Sequence, residues 1–239
     1  PVSNSNLEPD MMMLAPAGVS MHFARAGGYD VDQIPDENQM RQYSDSAADE
    51  VIDSLRICGS DVIIYGCTSA TLAQGPEYDR RFRDNMERVG KAPAVTAASA
   101  LVKVLKGLGV VNFAFTSPYV QSLNHLAIQY LEDSGLHCVN RIDAPSPMSN
   151  EAVARTTPDE IVHIGLQADS DQADALVISC TDYRATEAII ELESTLGKPV
   201  ITSNQASLLV ALEVLGIPAD NALMLRQLAP QNYQLLEQD

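Results

Sequence analysis

Short apolar runs alternate with longer amphipathic stretches along almost the whole chain. The runs lie at 19–24, 62–65, 94–96, 110–116, 137–142, 175–179 and 200–202. They carry β-branched and aromatic residues, are bounded by turn formers and are too short for helices. Between them, apolar positions recur at helical spacing over 46–58, 78–89, 98–107, 120–134, 157–168, 185–196 and 205–215. Gly107, Gly109, Gly135, Gly197 and Gly216 stand where these stretches end, the usual place of C-terminal glycines. Such alternation predicts an α/β protein with parallel strands and helices on both faces of the sheet. Right-handed crossovers in such sheets leave ligands beyond the carboxyl ends of the strands.

The pattern occurs twice. Asp61-Val-Ile-Ile-Tyr-Gly-Cys67-Thr-Ser is matched by Asp174-Ala-Leu-Val-Ile-Ser-Cys180-Thr-Asp. Downstream, a Gly-Lys tail at 90 and one at 197 each lead through a short strand, ending in Thr96 or Thr202, to an Ala/Leu/Val-rich helix closed by Gly109 or Gly216. The repeat predicts two similar doubly wound parallel-sheet lobes related by a pseudo-twofold axis, with the active site between them. Residues 1–96 with 203–239 form the first expected lobe, and 97–202 the second.

Composition narrows the function classes. With 239 residues and 46% hydrophobic content the chain can bury a sizeable core. A formal charge of −17 disfavours nucleic acid and anionic lipid as partners, and no apolar run reaches the ~20 residues of a membrane span. An anionic substrate would have to be held by local donors, chiefly backbone N–H groups. Four cysteines and four histidines show no zinc-ligand spacing, no glycine-rich phosphate loop occurs, and a disulfide framework does not suit a chain of this size. A reducing, cytoplasmic setting with free thiols and no metal or cofactor is expected.

Polar residues collect at the strand ends: Cys67-Thr68-Ser69, Thr116-Ser117-Pro118-Tyr119, Cys180-Thr181, Ser203-Asn204 and, at the start, Ser3-Asn4-Ser5. Hydroxyls and amides there serve as helix caps, and the same N–H groups can bind a carboxylate. A thiol at a helix start has its thiolate favoured over the reference of about 8.5. One such cysteine reads as a core residue, as Cys58 and Cys138 do. Two in corresponding places of a repeat, each followed by Thr, read as a pair of facing sulfurs.

These residues resemble the aspartate/glutamate racemase superfamily, and within it the branch of maleate cis-trans isomerases and arylmalonate decarboxylases. Pro1-Val-Ser-Asn-Ser-Asn-Leu-Glu8, Tyr65-Gly-Cys67-Thr-Ser69 with Gln74-Gly-Pro76, and Thr116-Ser-Pro-Tyr119 carry the resemblance. It implies a catalytic pair, Cys67 and Cys180, and a substrate site drawn from Asn4, Thr68, Ser69, Ser117, Tyr119, Asn150 and Thr181. It further implies a small carboxylate substrate, a homodimer and a first strand upstream of Pro1. Ser179-Cys180-Thr-Asp-Tyr-Arg184 departs toward ectoine-utilisation relatives, which leaves the substrate open. Arylmalonate decarboxylases themselves lack the first of the two cysteines, so keeping both argues against that activity.

Three functions are then open. In a cis-trans isomerase of maleate or a similar enedioate, Cys67 attacks the alkene and Cys180 supplies a proton. In a racemase or epimerase of an amino or hydroxy acid, the two thiols exchange an α proton, and Asp182 or Arg184 tunes the second thiol or holds an amino group. The third is a non-catalytic relative. Arg25 aligns loosely with an isomerase arginine, and an ion pair explains it equally well.

Overall fold

Among the described residues, six short strands, all in parallel pairs, organise the chain. The computed structural model describes residues 3–27, 36, 38, 39 and 49–219. In chain order the elements are α1 (Leu7–Leu14), α2 (Asp49–Ile57), β1 (Ile63–Tyr65), α3 (Thr68–Leu72), α4 (Pro76–Gly90), β2 (Ala94–Thr96), α5 (Ala97–Gly107), β3 (Asn112–Thr116), α6 (Gln121–Asp133), β4 (His137–Ile142), α7 (Asn150–Arg155), α8 (Pro158–Ala168), β5 (Ala175–Ile178), a 3-10 turn (Thr186–Ala188), α9 (Ile189–Leu196), β6 (Val200–Thr202) and α10 (Ser203–Val214).

β1 and β2 pair in register Ile63 to Ala94 and Tyr65 to Thr96. The other four form a sheet in the order β4-β3-β5-β6. After β3 the chain steps to one side to make β4, then crosses to the other to make β5. The order therefore reverses between β3 and β5, the switch point beyond whose carboxyl ends sheets of this kind bind ligands. β5 is buried along its whole length, as a central parallel strand covered on both faces must be.

The repeated tails form matching units. Thr96 caps α5 by accepting the Ser99 N–H, and Thr202 caps α10 in a reciprocal box with Gln205. The two helices pack on each other, with Leu101, Val104 and Leu105 in one core cluster with Leu208, Leu209 and Leu212.

Local reading misses some elements. The run 19–24 alternates like a strand but is irregular and pairs with no strand among the described residues. Its alternation is satisfied by resting Val19 and Met21 against the core. Helix α1 is hidden in sequence by Pro9 and two acids, yet these occupy its first turn, where Pro lacks no needed donor and acids favour the helix dipole. Helix α7 is short, and Ser149 caps it. The run 185–196 divides into the 3-10 turn and α9, and 46–48 lie outside the described residues.

A buried carboxylate joins the layers. Asp79 on α4 accepts from Thr96 Oγ1 at 2.5 Å and from Tyr130 Oη on α6 at 3.0 Å. Burial raises its pKa, and the two donors oppose that rise. Tyr130→Phe should destabilise the fold by about 1–3 kcal/mol in urea denaturation, because it removes one donor from a buried acid and leaves the shape almost unchanged.

Candidate active site

Two cysteine loops and a tyrosine loop meet beyond the carboxyl ends of β3 and β5. The ladder between these strands runs one step past the sheet, with Ser179 N–H donating to the Thr116 carbonyl at 2.9 Å. The chains that follow, Ser117 to Tyr119 and Cys180 to Asp182, thus leave side by side. Cys67 sits at the N-cap of α3 in extended conformation, 4% exposed. Gly66 precedes it because α1 comes close: a Cβ there would lie 2.8 Å from Leu7 Cδ2.

Cys180 is 5% exposed. Tyr119 Oη donates to its sulfur at 3.4 Å, and the Asp182 N–H does so at 3.4 Å. Burial pushes the thiol up to about 12. The Tyr119 hydroxyl and the Asp182 N–H pull it down, while the Asp182 carboxylate and Cys67 push it further up. Cys180 is therefore a protonated thiol at neutral pH. Burial likewise holds the Tyr119 hydroxyl well above its ordinary range, with both thiols adding to the effect and a Ser69 hydrogen bond opposing it. Tyr119 thus links Cys180 to Ser69, two residues after Cys67. Ser69 Oγ is also 4.0 Å from Cys67 Sγ.

The segment at residues 4–6 ties the loops together. Asn4 Nδ2 donates to Thr181 Oγ1 at 2.9 Å, and that hydroxyl donates on to the Gly66 carbonyl at 3.1 Å. Asn4 Oδ1 accepts the N–H groups of Asn6 and Leu7. Asp182 Oδ1 accepts the N–H groups of Ser5 at 2.8 Å and Asn6 at 3.0 Å, and Asn6 Nδ2 donates to the Asp182 carbonyl. The Asp182 carboxylate is thus engaged by the backbone.

Other polar groups are also engaged. Ser117 Oγ donates to Asn124 Oδ1 and accepts the Tyr119 N–H at 3.1 Å, while Asn124 Nδ2 donates to the Tyr119 carbonyl at 3.0 Å. Ser117 shapes the tyrosine loop. Thr68 Oγ1 is buried with no hydrogen-bond partner among the described residues. Asn150 stands in the first turn of α7, half-buried, one turn before the Ala154 carbonyl that accepts from Asn6 Nδ2. Arg25 donates to the Asn4 carbonyl at 2.7 Å and pairs with Glu8, and Arg184 pairs with Glu187 at 2.8 Å. Tyr183 is buried in the core, and Tyr65 packs edge-on to Phe82.

Sequence reasoning overlooked Asn6, Asn124 and the Gly66 carbonyl. Asn6 had a signal, since it repeats the Ser-Asn pair of the opening segment; Asn124 lies in the first turn of α6, past the cap position, and had none. Among the described residues, no group of three His, Cys, Asp or Glu could hold a metal ion, and no helix is long and apolar enough to cross a membrane.

Residues 3–226 match the arylmalonate decarboxylase family, and the chain belongs to it. A maleate isomerase of Geobacillus stearothermophilus is 29% identical over 185 residues, 75% of this chain and 72% of that protein. A cysteine-to-alanine mutant of the maleate isomerase Iso from Pseudomonas putida S16, solved with maleate, superposes with TM-score 0.84 at 23% identity, covering 94% of each chain. A mutant of the Nocardia farcinica maleate cis-trans isomerase, solved with a covalently bound succinylcysteine intermediate, has TM-score 0.77 at 19% identity and covers 94% of this chain and 95% of that one. The fold is the two-lobed α/β architecture of these proteins.

The electrostatics of Cys180 can be checked directly. Wild type and Cys180→Ser should show the same rise of thiolate ultraviolet absorbance up to about pH 10, because the raised Cys180 thiol ionises only above that range. A difference between them near neutral pH would contradict the buried, protonated state.

Proposed function

We propose that the chain is a cofactor-independent cis-trans isomerase of maleate or a closely related cis-enedioate. The observation that supports this most is the pairing of two buried thiols on adjoining loops, one of which, Cys180, is a protonated thiol with Tyr119 donating to its sulfur. Cys180, protonated and hydrogen-bonded, is suited to give a proton. Cys67, at a helix start on the adjoining loop, is assigned the nucleophile.

The reaction would run as follows. The Cys67 thiolate forms a bond to one alkene carbon, and the π electrons move through the other carbon into its carboxylate as an enediolate. The Thr68 hydroxyl, buried without a hydrogen-bond partner among the described residues, and the nearby backbone N–H groups are the candidate donors to the oxygens. Cys180 S–H protonates the carbanionic carbon and becomes a thiolate, assisted by the Tyr119 Oη and Asp182 N–H donors. The intermediate is a succinyl thioether whose central bond is single and can rotate. Cys180 then takes a proton back, the double bond re-forms trans, and Cys67 leaves as thiolate.

Ser69, Ser117, Tyr119, Thr181 and Asn4 enter this reading as the wall that sets the two sulfurs, and Asn150 as a further substrate contact. The similarity to maleate isomerases supports the substrate, and the succinylcysteine of the Nocardia farcinica protein supports the covalent step. The engagement of Asp182 by two backbone amides weakens the racemase reading, in which it would hold an amino group.

Purified protein should convert maleate to fumarate, with Cys67→Ala inactive and Cys180→Ala reduced about a hundredfold or more. Cys180→Ser incubated with maleate should gain the mass of one maleic acid on the peptide that contains Cys67. Inert maleate together with solvent deuterium entering an amino or hydroxy acid would overturn the proposal in favour of racemisation.

A further inference from the structure

A buried carboxylate outside the reaction scheme supports the Cys180 loop from behind. Asp10, on α1, is 1% exposed. Its Oδ2 accepts from Asn204 Nδ2 at 2.8 Å and from Thr186 Oγ1 at 2.7 Å. The same Asn204 amide donates to the Thr181 carbonyl at 3.1 Å, one residue from Cys180. One carboxylate therefore joins α1, the start of α10, the 3-10 turn and the catalytic loop.

We propose that Asp10 is a positioning residue: its ionised form holds the Asn204 amide on the Thr181 carbonyl and so fixes the Cys180 loop, and its protonation releases that hold. The polar inventory of the cluster supports this. An ionised carboxylate only accepts, so it orders both donors. Protonated, it acquires an O–H of its own. Asn204 Oδ1 is buried with no hydrogen-bond partner among the described residues and is the acceptor at hand. An O–H donated to it competes with the present orientation of the amide, and the bond to Thr181 is what would be lost.

The switch falls in an accessible range. Burial pushes Asp10 up to about 6, against the pull of the Asn204 and Thr186 hydrogen bonds. Glu187, beside Thr186, adds to the rise, and Arg184, paired with Glu187, is the cation that feels Asp10. From its own helix Glu8 is paired with Arg25, and α10 presents the neutral Asn204. Because the folded value lies above the ordinary 3.8, the ionised, loop-fixing form predominates above about pH 6 and is lost as pH falls through it. Held ionised near neutrality, a buried carboxylate of this kind costs stability, which is consistent with a functional rather than a packing role.

The activity consequence rests on the isomerase proposal, but the structural one does not. In the wild-type protein the backbone amide NMR signals of Thr181 and Asp182 should titrate together with a midpoint near pH 6. Asp10→Asn should abolish that titration. Thr186→Val, which keeps the acid and removes a donor that lowers its pKa, should move the midpoint upward. At saturating maleate, kcat of the wild type should fall at the same midpoint, and Asp10→Asn should lack that limb with little change in KM. Titration of these amides that persists in Asp10→Asn, or its absence from the wild type, overturns the proposal. The expected titration in a protein inert to maleate supports the positioning role and sinks only the isomerase reading.

Discussion

The hydroxyl of Thr181 accepts from the side chain of Asn4 and donates to the carbonyl of Gly66. Those two bonds join the loop after β5 to the loop after β1 through the opening segment of the chain. Cys180 precedes this threonine and Cys67 follows that glycine, so the bridge ties together the two backbone segments that carry the sulfurs. The place where they meet follows from strand order, because the reversal between β3 and β5 sends the chains after those two strands off side by side.

Burial then sets the chemistry. Both thiols are withdrawn from water, and for Cys180 desolvation outweighs the two hydrogen bonds that favour its anion. The two sulfurs differ in what surrounds them. Tyr119 and the Asp182 amide donate to Cys180, whereas Cys67 has Ser69 nearby and the start of a short helix behind it. A chain of charge −17 offers little long-range attraction to a dianion, so the proposed reaction depends on these local donors.

The acids inside the scaffold perform a comparable task at a distance. Asp79 pins α4 to α6 through Tyr130, and Asp10 pins α1 to α10 and to the turn after Cys180. Each is held by donors that an apolar residue could not use. A buried carboxylate with its donors satisfied in one arrangement specifies that arrangement, because every alternative leaves a polar group unpaired.

The order and type of most elements, and the two cysteine motifs, were legible in the sequence because a 3.6-residue period, a strand end and a repeat are local signals. β2, β4 and β6 coincide with the apolar runs that predict them. Strand pairing was not local, so the irregular 19–24 segment carried a strand-like alternation without a partner strand. Asn4 was legible as a polar group at the site, but not that its amide would be consumed by Thr181, 177 residues away. Asp10 and Asn204, 194 residues apart, had no sequence signal for each other. The sequence by itself determined which residues could supply sulfur, hydroxyl and amide groups near strand ends. Tertiary structure alone decided which of those groups remained open, because hydrogen-bond capacity is used up only by partners that the fold brings from far along the chain.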